Sequence, residues 1–322
     1  MNSMNILVTG GAGYIGSACV KELVNLGFNV FVVDNLSKGK RELIDCSAKF
    51  YEIDLTKRAD LEKVFLENKI DAVIHFAAYK AVEESMENAV KYSDNIIGAI
   101  NLLNCMVKFN TKRIIFSSTA AVYGMPKTEK VDENTETKPI NFYGFTKLEI
   151  EKILEWYNKI HKIEYIALRY FNVAGDANLN YVDPNAKNIF PIIMEVLTGK
   201  REKLLVFGDD YETKDGTCIR DYIDINDLVD AHILALNSKY CGIINLGSGN
   251  GYSVKELIRI FEEVSGKTIP FEIAGRRAGD SACLIASNFK AKEILCWFPK
   301  RTLKQMVEST YLAYKNNNLL KE

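Results

Sequence analysis

A glycine-rich turn lies between the first apolar run of the chain and its first helical stretch. The turn spans residues 9–16 and reads TGGAGYIG, which places glycines at Gly10, Gly13 and Gly16. Because glycine has no Cβ atom, the backbone can turn tightly and approach a pyrophosphate, whose charge the free N–H groups at the start of the helix stabilise. The turn therefore predicts a parallel α/β sheet whose first βα unit binds a dinucleotide.

Short apolar runs alternate with stretches of helical period through the first half of the chain. This alternation predicts strands at residues 6–8, 30–34, 49–53, 72–77, 113–118 and 165–169. Helices are predicted between them at residues 15–26, 61–67, 95–107 and 143–157. The order is typical of a Rossmann-type doubly wound parallel sheet, in the α/β class.

After Asn172 the elements become shorter and the βα rhythm is lost, which predicts a smaller α+β lobe. A later stretch, residues 224–247, again has the pattern of a helix followed by a strand. We therefore expect a nucleotide-binding domain at residues 1–173, joined by 224–247, and a C-terminal substrate lobe at 174–223 and 248–322. No glycine/serine linker separates them, so the lobes should pack around a shared cleft.

Composition is ordinary for a soluble globular protein and points neither to nucleic acid nor to a membrane surface. Hydrophobic residues make up 48%, charged residues 26%, and the formal net charge is -1, so there is no strong global field. The seven cysteines are scattered without a C-x-x-C pair, which predicts reduced thiols and no metal site. The first strand begins close to Met1 and no apolar run approaches ~20 residues, so we expect a cytoplasmic protein without a signal peptide.

Asp34 ends the second predicted strand, close to the ~20-residue interval expected for an acid that binds a ribose. Its carboxylate would repel a 2′-phosphate by ~4 kcal/mol at ~4 Å and an effective dielectric constant of ~20. Asp34 therefore favours NAD over NADP. Lys38, Lys40 and Arg41 follow closely and leave NADP open, unless they form a solvated basic loop.

Tyr143 and Lys147 are four positions apart at the start of the helix after the fifth strand, and so share one helical face. To act as a base at neutral pH, a phenol must lower its pKa from near 10 by about 3 units, or ~4 kcal/mol. One cation about 4 Å away supplies that energy at an effective dielectric constant of ~20. We therefore predict that Lys147 lowers the pKa of Tyr143, assisted by the positive ring of an oxidised cofactor. The same spacing also arises by chance on amphipathic helices.

Three motifs carry a family resemblance: the G-x-x-G-x-x-G turn, FSSTAAVYG at residues 116–124 and YGFTK at residues 143–147. Together they resemble the NAD-dependent sugar-nucleotide epimerases of the extended short-chain dehydrogenase/reductase family, and the resemblance covers nearly the whole chain. It implies reversible epimerisation at C4 of a UDP-hexose through a 4-keto intermediate. It also implies a catalytic set of Tyr143, Lys147 and Thr119, with Thr119 relaying the proton of the reacting hydroxyl to Tyr143; its alternative is a β-branched strand terminus.

The resemblance further implies that cofactor contacts lie at the strand ends and helix starts. Asp54 stands where the family holds the adenine amino group, while Phe76 and Ala77 are equally well explained as core residues. The implied cofactor-binding residues are Gly10, Gly13, Tyr14, Ile15, Gly16, Asp34, Asn35, Asp54, Leu55, Phe76, Ala77, Ala78, Lys80, Asn95, Lys147 and Tyr170.

Substrate contacts are also implied by the resemblance. Arg220 and Arg277 would neutralise a diphosphate, although a surface ion pair is the alternative for each. Phe207 would line a uracil pocket and Asp280 would accept from the ribose. The implied substrate-binding residues are Thr119, Tyr143, Asn172, Asn188, Leu205, Phe207, Arg220, Tyr222, Arg277, Asp280 and Leu284. The family also implies a homodimer joined through the helices that carry Asn95 and Tyr143.

Two positions after Thr119 distinguish between activities within the family. Dehydratases and decarboxylases that resemble this fold carry acids there, whereas this chain has Ala120 and Ala121. Leu284 replaces a tyrosine that narrows the sugar pocket in some relatives, so N-acetylated sugars would fit. The segment of residues 175–187 is also shorter than the matching segment of many relatives. The alternatives left open are a C4 epimerase of UDP-GlcNAc/GalNAc or UDP-glucuronate, a nucleotide-sugar dehydratase or decarboxylase, and a non-catalytic NAD-binding sensor.

Overall fold

A computed structural model describes residues 4–183, 187–277 and 279–320. Three residues of the short stretch 175–187 therefore lie outside the described residues. Among the residues described, no helix has the length and apolarity that a membrane crossing requires.

Strands of the structure fall into one large and two smaller sheets. The strands are β1 (Asn5–Thr9), β2 (Asn29–Asp34), β3 (Lys49–Glu52), β4 (Ala72–His75), β5 (Arg113–Thr119), β6 (Lys130–Val131), β7 (Glu164–Tyr170), β8 (Asn172–Ala174), β9 (Leu204–Phe207), β10 (Ile219–Asp224), β11 (Gly242–Leu246), β12 (Gly251–Ser253), β13 (Phe271–Ala274) and β14 (Cys283–Ala286).

The large sheet has seven strands in the order β11-β7-β5-β4-β1-β2-β3, and each neighbouring pair is parallel. The order runs outward in both directions from β1, which confirms the predicted doubly wound sheet. Strand β4 is two residues shorter than predicted. The N–H groups of Phe76 and Ala77 both donate to the carbonyl of Thr9, at 3.0 and 3.1 Å, so the regular ladder ends at His75.

Helices lie on both faces of this sheet and around the smaller sheets. They are α1 (Tyr14–Asn25), α2 (Arg58–Glu67), α3 (Val82–Glu87), α4 (Ala89–Lys108), α5 (Phe142–His161), α6 (Ile189–Leu197), α7 (Ile225–Asn237), α8 (Val254–Ser265), α9 (Phe289–Leu295) and α10 (Leu303–Asn316).

Capping residues explain where the two longest helices depart from the predicted bounds. Helix α4 begins six residues earlier than predicted because Asn88 Oδ1 accepts from the backbone N–H of Lys91 at 3.0 Å. Helix α5 extends four residues beyond Tyr157. It ends where Lys162 adopts the left-handed conformation, with φ of 58°.

Alternate residues of each central strand face two separate cores. Ile6 and Val8 of β1 pack in a cluster with residues of α1 and α7, whereas Leu7 packs in a cluster with residues of α2, α4 and α5. This is the two-residue period of a strand that is buried on both faces. Helix α5 therefore packs against the sheet. This helix carries the predicted catalytic residues Tyr143 and Lys147.

The smaller lobe is built on a five-stranded sheet with the order β12-β10-β14-β6, in which β8 also pairs with β10. A third sheet pairs β13 with β9 in parallel. Helices α6, α8 and α10 contribute to the apolar core of this lobe. Strand β8 begins two residues after β7 ends, so the chain passes from the large sheet to the second sheet at Phe171. Residues 242–246, as β11, lie in the large sheet next to β7.

Candidate functional site

A cleft of about 1280 Å³, a figure that includes open solvent at its mouth, lies along the carboxyl edge of the large sheet. Ligands of open α/β sheets bind at this edge because the strand ends and the following loops converge there. All of the predicted cofactor-binding residues line the cleft. It is also lined by residues absent from that prediction: Val33, Ser37, Lys38, Gly39, Ile53, Thr56, Tyr79, Asp94, Gly98, Ser117 and Tyr181.

The glycine turn has the close packing that its sequence predicts. Gly10 has φ of +74°, and a Cβ atom there would lie 2.6 Å from the backbone nitrogen of Ala77. A Cβ atom on Gly16 would lie 2.1 Å from the carbonyl oxygen of Gly10. Gly13 precedes α1 with extended backbone and no side-chain cap, so the first N–H groups of the helix face the cleft side without a capping side chain. This cradle fits a dinucleotide pyrophosphate.

The carboxylate of Asp34 is fixed by backbone groups. Oδ2 accepts from the N–H of Ala12 at 3.0 Å, and Oδ1 accepts from the N–H of Leu36 at 2.9 Å. Burial raises the pKa of Asp34, while these two hydrogen bonds lower it. Gly39 passes so close that a Cβ atom there would lie 3.0 Å from Asp34 Oδ1. The acid is therefore held at the turn, where a ribose of the cofactor would lie.

Asp54 and Asn35 form a pair in the cleft wall, where the resemblance implies that the adenine binds. The Nδ2 group of Asn35 donates to Asp54 Oδ2 at 3.0 Å, and the hydroxyl of Thr56 donates to Asp54 Oδ1 at 2.7 Å. Burial raises the pKa of Asp54, but hydrogen bonds from Thr56 and Asn35 outweigh it and lower the pKa. The side chain therefore offers a charged acceptor.

Asn95 contacts the loop that follows β4. Its Oδ1 accepts from the N–H of Tyr79 at 2.8 Å, and its Nδ2 donates to the Tyr79 carbonyl at 3.0 Å and to Thr146 Oγ1 at 3.3 Å. The amide thus joins α4, α5 and the loop that carries Phe76 and Lys80. In the structure Asn95 shapes the cleft wall; direct contact with the cofactor stays a prediction.

Tyr143 meets Thr119 because helix α5 packs closely against the turn after β5. A Cβ atom on Gly144 would lie 2.7 Å from the carbonyl oxygen of Ala121, so only glycine permits this approach. The N–H of Gly144 is capped by Asn141 Oδ1 at 2.8 Å. Thr119 hydrogen-bonds the phenol of Tyr143, and its Oγ1 also accepts from the N–H of Ala121 at 3.2 Å. The structure therefore brings Thr119 and Tyr143 together, and the relay of a substrate proton between them stays a prediction.

The electrostatics of the pair differ from the expectation. Burial raises the pKa of Tyr143 to about 12, and the hydrogen bond with Thr119 lowers it only in part. Lys147 donates from Nζ to the carbonyl of Ser117 at 2.7 Å and lies over the Phe116 ring. Burial lowers the pKa of Lys147 to about 7, against the opposing effect of Glu151. For the protein's own groups, desolvation therefore dominates both residues, and a phenol pKa lowered jointly by Lys147 and the oxidised cofactor stays a prediction.

A buried polar network behind α5 is absent from the sequence prediction. Arg169 donates from Nε to Glu151 Oε1 at 3.0 Å and from Nη2 to Oε2 at 2.6 Å, and both side chains are 3% exposed. Ser118 also donates to Glu151. Arg169 reaches the hydroxyl of Tyr123, which donates to Asn245 Oδ1 at 2.7 Å. The one sequence signal was a charge, Arg169, at the end of an apolar strand.

Several predicted substrate residues lie on adjacent strands of the second sheet. Asn172 of β8 is the Cα partner of Tyr222 on β10, and Arg220 of β10 is the partner of Leu284 on β14. The Nδ2 group of Asn172 donates to the carbonyl of Asp221 at 2.9 Å. Because β8 directly follows β7, these residues continue from the end of the cleft.

The two predicted diphosphate arginines contact other predicted substrate residues. Arg220 forms an ion pair with Asp280 at 3.2 Å and donates to the carbonyl of Ser281 at 2.8 Å. The guanidinium of Arg277 lies over the Phe207 ring, 3.8 Å from its centroid. The structure thus brings both pairs together, Arg220 through an ion pair and Arg277 through contact with an aromatic ring.

Three predicted substrate residues are placed differently. Tyr222 is 4% exposed and packs in the core of the smaller lobe, with its ring centroid 5.5 Å from that of Phe190. Asn188 precedes α6 without capping it, and Leu205 is 41% exposed on β9. Among all of the predicted substrate residues, Tyr143 alone belongs to the described residues that line the cleft. Substrate contact at these positions stays a prediction.

Comparison with known proteins identifies close relatives. A sequence profile described as the NAD dependent epimerase/dehydratase family matches residues 6–247. A UDP-glucose 4-epimerase of Halalkalibacterium halodurans is 44% identical over 329 residues, which cover 98% of this chain and 96% of that protein.

Solved structures agree over the whole length. A crystal structure of a UDP-glucose 4-epimerase is 46% identical and superposes with a TM-score of 0.94, covering 99% of each chain. The UDP-glucose 4-epimerase of Bifidobacterium longum, solved in complex with NAD+ and UDP, is 38% identical. It superposes with a TM-score of 0.91, covering 98% of this chain and 99% of that one.

Proposed function

Since this chain belongs to the NAD dependent epimerase/dehydratase family, we propose that it epimerises C4 of a UDP-hexose, UDP-glucose or UDP-galactose, with NAD held in the cleft. The chain is an NAD-dependent isomerase, like its relatives. The observation that carries the proposal is the meeting of Thr119 and Tyr143 beside a cleft shaped for a dinucleotide. We assign the residues below to individual roles.

NAD is held by groups at the ends of β1, β2 and β3, among others. The turn at Gly10, Gly13 and Gly16 accommodates the pyrophosphate, Asp34 accepts from a ribose, and Asp54 accepts from the adenine amino group. When bound, the oxidised nicotinamide supplies a reversible hydride acceptor and a positive charge beside the phenol.

Tyr143 and Thr119 handle the proton of the sugar hydroxyl. Thr119 accepts a hydrogen bond from the 4-hydroxyl and passes the proton to Tyr143, which acts as general base and later as general acid. Because the pKa of Tyr143 is raised, the phenol stays protonated at neutral pH and cannot accept a proton until a positive charge is brought to it. Lys147, fixed by the Ser117 carbonyl, places its ammonium in the same wall of the cleft. Proton uptake by Tyr143 is thereby coupled to the presence of oxidised NAD in the cleft.

Epimerisation is favoured over elimination by the two residues after Thr119. Ala120 is 7% exposed and carries only a methyl group, as does Ala121. Elimination of water or carbon dioxide needs a further acid and base, which these positions do not provide. Retention of Tyr143 and Lys147 in the cleft likewise favours an enzyme over a silent NAD sensor.

The UDP moiety is held by the second sheet and its loops. Arg220 and Arg277 bind the diphosphate, Phe207 contacts the uracil and Asp280 accepts from the uridine ribose. These contacts are supported by the adjacency of Arg220 with Asp280 and of Arg277 with Phe207. Binding of the diphosphate exchanges the internal partners of each arginine for phosphate oxygens.

The test is conversion of UDP-galactose by the purified protein without added cofactor. We expect UDP-glucose to form, because the NAD that the protein carries is regenerated in each turnover. Formation of a deoxy-keto sugar or of carbon dioxide would instead indicate a dehydratase or decarboxylase. No conversion by protein that contains NAD would contradict the proposal.

A second candidate substrate class is the N-acetylated UDP-hexoses, UDP-GlcNAc and UDP-GalNAc. Leu284 lies beside Arg220 in the second sheet and packs against the cluster that contains Ala120 and Phe171. A leucine leaves more room there than an aromatic ring. We expect a substrate panel to show turnover of UDP-GlcNAc, and a Leu284→Tyr variant to lose that activity while keeping UDP-glucose. A wild-type enzyme inert toward UDP-GlcNAc would contradict this candidate.

A homodimer is proposed on the apolar surface of α4 and α5. Val90 and Ile97 of α4 are 84% and 45% exposed, and Phe145, Trp156 and Ile160 of α5 are 42%, 61% and 64% exposed. The two helices pack against each other, and we propose that a second copy of the chain covers these exposed side chains. We expect Trp156→Glu to shift the mass in light scattering from dimer to monomer. Phe298→Glu, at another exposed aromatic residue, should leave the mass unchanged; a monomeric wild type would contradict the dimer.

We also place the protein in the cytoplasm. All seven cysteines are free, which suits a reducing compartment. Fractionation of the source cells should recover the protein with cytoplasmic markers, and recovery with secreted proteins would contradict this placement.

A further inference from the structure

A short segment of the chain, residues 175–183, lies over the start of α1 and is called the cover segment below. Its Tyr181 lines the cleft, although the sequence did not single it out. The Tyr181 ring stacks on that of Tyr14, the first residue of α1, with centroids 4.9 Å apart and planes inclined by 30°. An aromatic pair therefore lies beside the turn that accommodates the pyrophosphate.

The backbone of the cover segment is fixed by one buried acid. Asp176 is 8% exposed, and its carboxylate accepts from the N–H groups of Leu179, Asn180 and Tyr181 at 3.0, 3.1 and 3.0 Å. Asn178 and Asn180 have positive φ angles of 55° and 51°. Asparagine tolerates this conformation better than most residues, so the segment is built to turn back on itself.

Further contacts join the cover segment to the cofactor side of the molecule. The hydroxyl of Tyr14 donates to the Gly175 carbonyl at 2.5 Å, and Lys21 Nζ donates to the Asn178 carbonyl at 3.0 Å. Lys40 Nζ donates to the Val182 carbonyl at 3.4 Å and lies 5.6 Å from the centre of the Tyr181 ring. These contacts hold the segment against Tyr14 and Lys40, with the Tyr181 ring in the lining of the cleft.

The opposite side of the segment is joined to α10 and the residue after it. Ser309 Oγ accepts from the N–H of Asp176 at 3.1 Å, and Asn317 Nδ2 donates to the Asn180 carbonyl at 2.9 Å. The cover segment is thus a bridge between the two lobes, with Tyr181 on its cleft side. Lifting the segment requires these contacts to break.

We propose that Tyr181 is a cofactor-retaining residue, whose ring stacks on Tyr14 and closes the cleft over the pyrophosphate of NAD. This rests on the proposed function, in which NAD is regenerated at each turnover and has no need to leave. Burial and the nearby Asp183 raise the pKa of Tyr181 to about 12. The phenol is therefore neutral at physiological pH and adds no negative charge beside the phosphates.

The test measures how fast NAD leaves the purified holoenzyme. Released NAD is trapped by an unrelated dehydrogenase with its substrate in excess, and the absorbance of the NADH formed is followed with time. We expect Tyr181→Ala to release NAD about 10-fold faster, equivalent to ~1.4 kcal/mol. Tyr181→Phe, the matched control that keeps the ring, should stay within about 2-fold of wild type.

A second variant loosens the segment without removing the ring. Asp176→Asn replaces one carboxylate oxygen that accepts backbone N–H groups, and we expect release intermediate between wild type and Tyr181→Ala. It carries the test if Tyr181→Ala fails to fold. Release at the wild-type rate from the folded variants would overturn the proposal, as would Tyr181→Phe releasing as fast as Tyr181→Ala. A wild-type protein that holds no NAD would contradict the proposed function itself.

Discussion

The cofactor cleft and the substrate lobe hold their polar side chains in different ways. In the cleft, Asp34 is fixed by backbone N–H groups, and the turn packs so tightly that Gly16 leaves no space for a Cβ atom. In the substrate lobe, Arg277 lies on Phe207 and Arg220 pairs with Asp280, so side chains are held by other side chains.

The two kinds of contact differ in rigidity. We expect the backbone contacts in the cleft to keep the same geometry with and without a ligand, as a retained cofactor requires. In the proposed function, Arg220 and Arg277 exchange these contacts for phosphate oxygens in each turnover, because substrate and product have to enter and leave. We therefore expect substitutions in the cleft to weaken NAD binding or lower kcat, and substitutions in the substrate lobe to weaken substrate binding.

The largest effect is expected from Tyr143→Phe. Loss of the general base should lower kcat about 10²- to 10⁴-fold, while NAD content stays as in wild type because the cradle is intact. Steady-state kinetics and the nucleotide released on denaturation measure the two quantities. Tyr157→Phe, on the same helix and bonded to Asn104 at 2.8 Å, is the control and should keep its activity. Substantial kcat in Tyr143→Phe would break the assignment of the base.

Gly16→Ala tests the rigidity of the cleft. The added Cβ atom would lie 2.1 Å from the Gly10 carbonyl oxygen. Overpacking of this kind costs about 1–3 kcal/mol, so NAD binding should weaken about 10- to 100-fold. NAD content per chain measures the effect. Gly275→Ala, where a Cβ atom meets nothing within 4 Å, should bind NAD normally. Full NAD content in Gly16→Ala would show that the cleft adapts.

Arg277→Ala tests the exchange of partners in the substrate lobe. Loss of one charge-assisted contact to the diphosphate should raise KM about 10-fold, with NAD content unchanged. Arg276→Ala is the matched control, because that exposed side chain pairs with Asp210 at 2.8 Å. Equal KM values for the two variants would remove Arg277 from the substrate site.

A dependence of stability on pH is expected from the buried Lys147. Its pKa is lowered to about 7 in the folded protein from 10.5, so the unfolded chain binds the proton more tightly between these values. The free energy of unfolding contributed by Lys147 should therefore rise with pH from about 7 to 10. Urea unfolding of NAD-free wild type and Lys147→Met at pH 7 and pH 9 measures it. A difference between the proteins that does not change with pH would contradict the lowered pKa.

Local sequence patterns predicted the cofactor side well. The glycine turn and Asp34 depend on a strand, a tight turn and a helix that are contiguous, so spacing alone located them. The order of apolar runs likewise predicted the doubly wound sheet. The apolar periodicity did not predict where α4 begins. That start is set by the cap at Asn88, which depends on one side chain and not on a repeating pattern.

Contacts between distant segments could not be predicted in the same way. Tyr181 reaches Tyr14 across more than 160 residues, and Glu151 pairs with Arg169 of a separate strand. The sequence also did not predict the raised pKa of Tyr143. The spacing indicates a lysine nearby, but it does not indicate the desolvation of Tyr143 and Lys147. Such effects depend on burial, which only the folded chain establishes.

The buried bond from Tyr123 to Asn245 has a consequence for synthesis on the ribosome. Asn245 lies on β11, which pairs with β7 at the edge of the large sheet, and its side chain completes the polar network behind the catalytic helix. A nascent chain that has emerged only to β10 leaves Tyr123 without this acceptor. We expect the N-terminal half to remain sensitive to protease until β11 emerges, which limited digestion of stalled chains that end before and after β11 would measure.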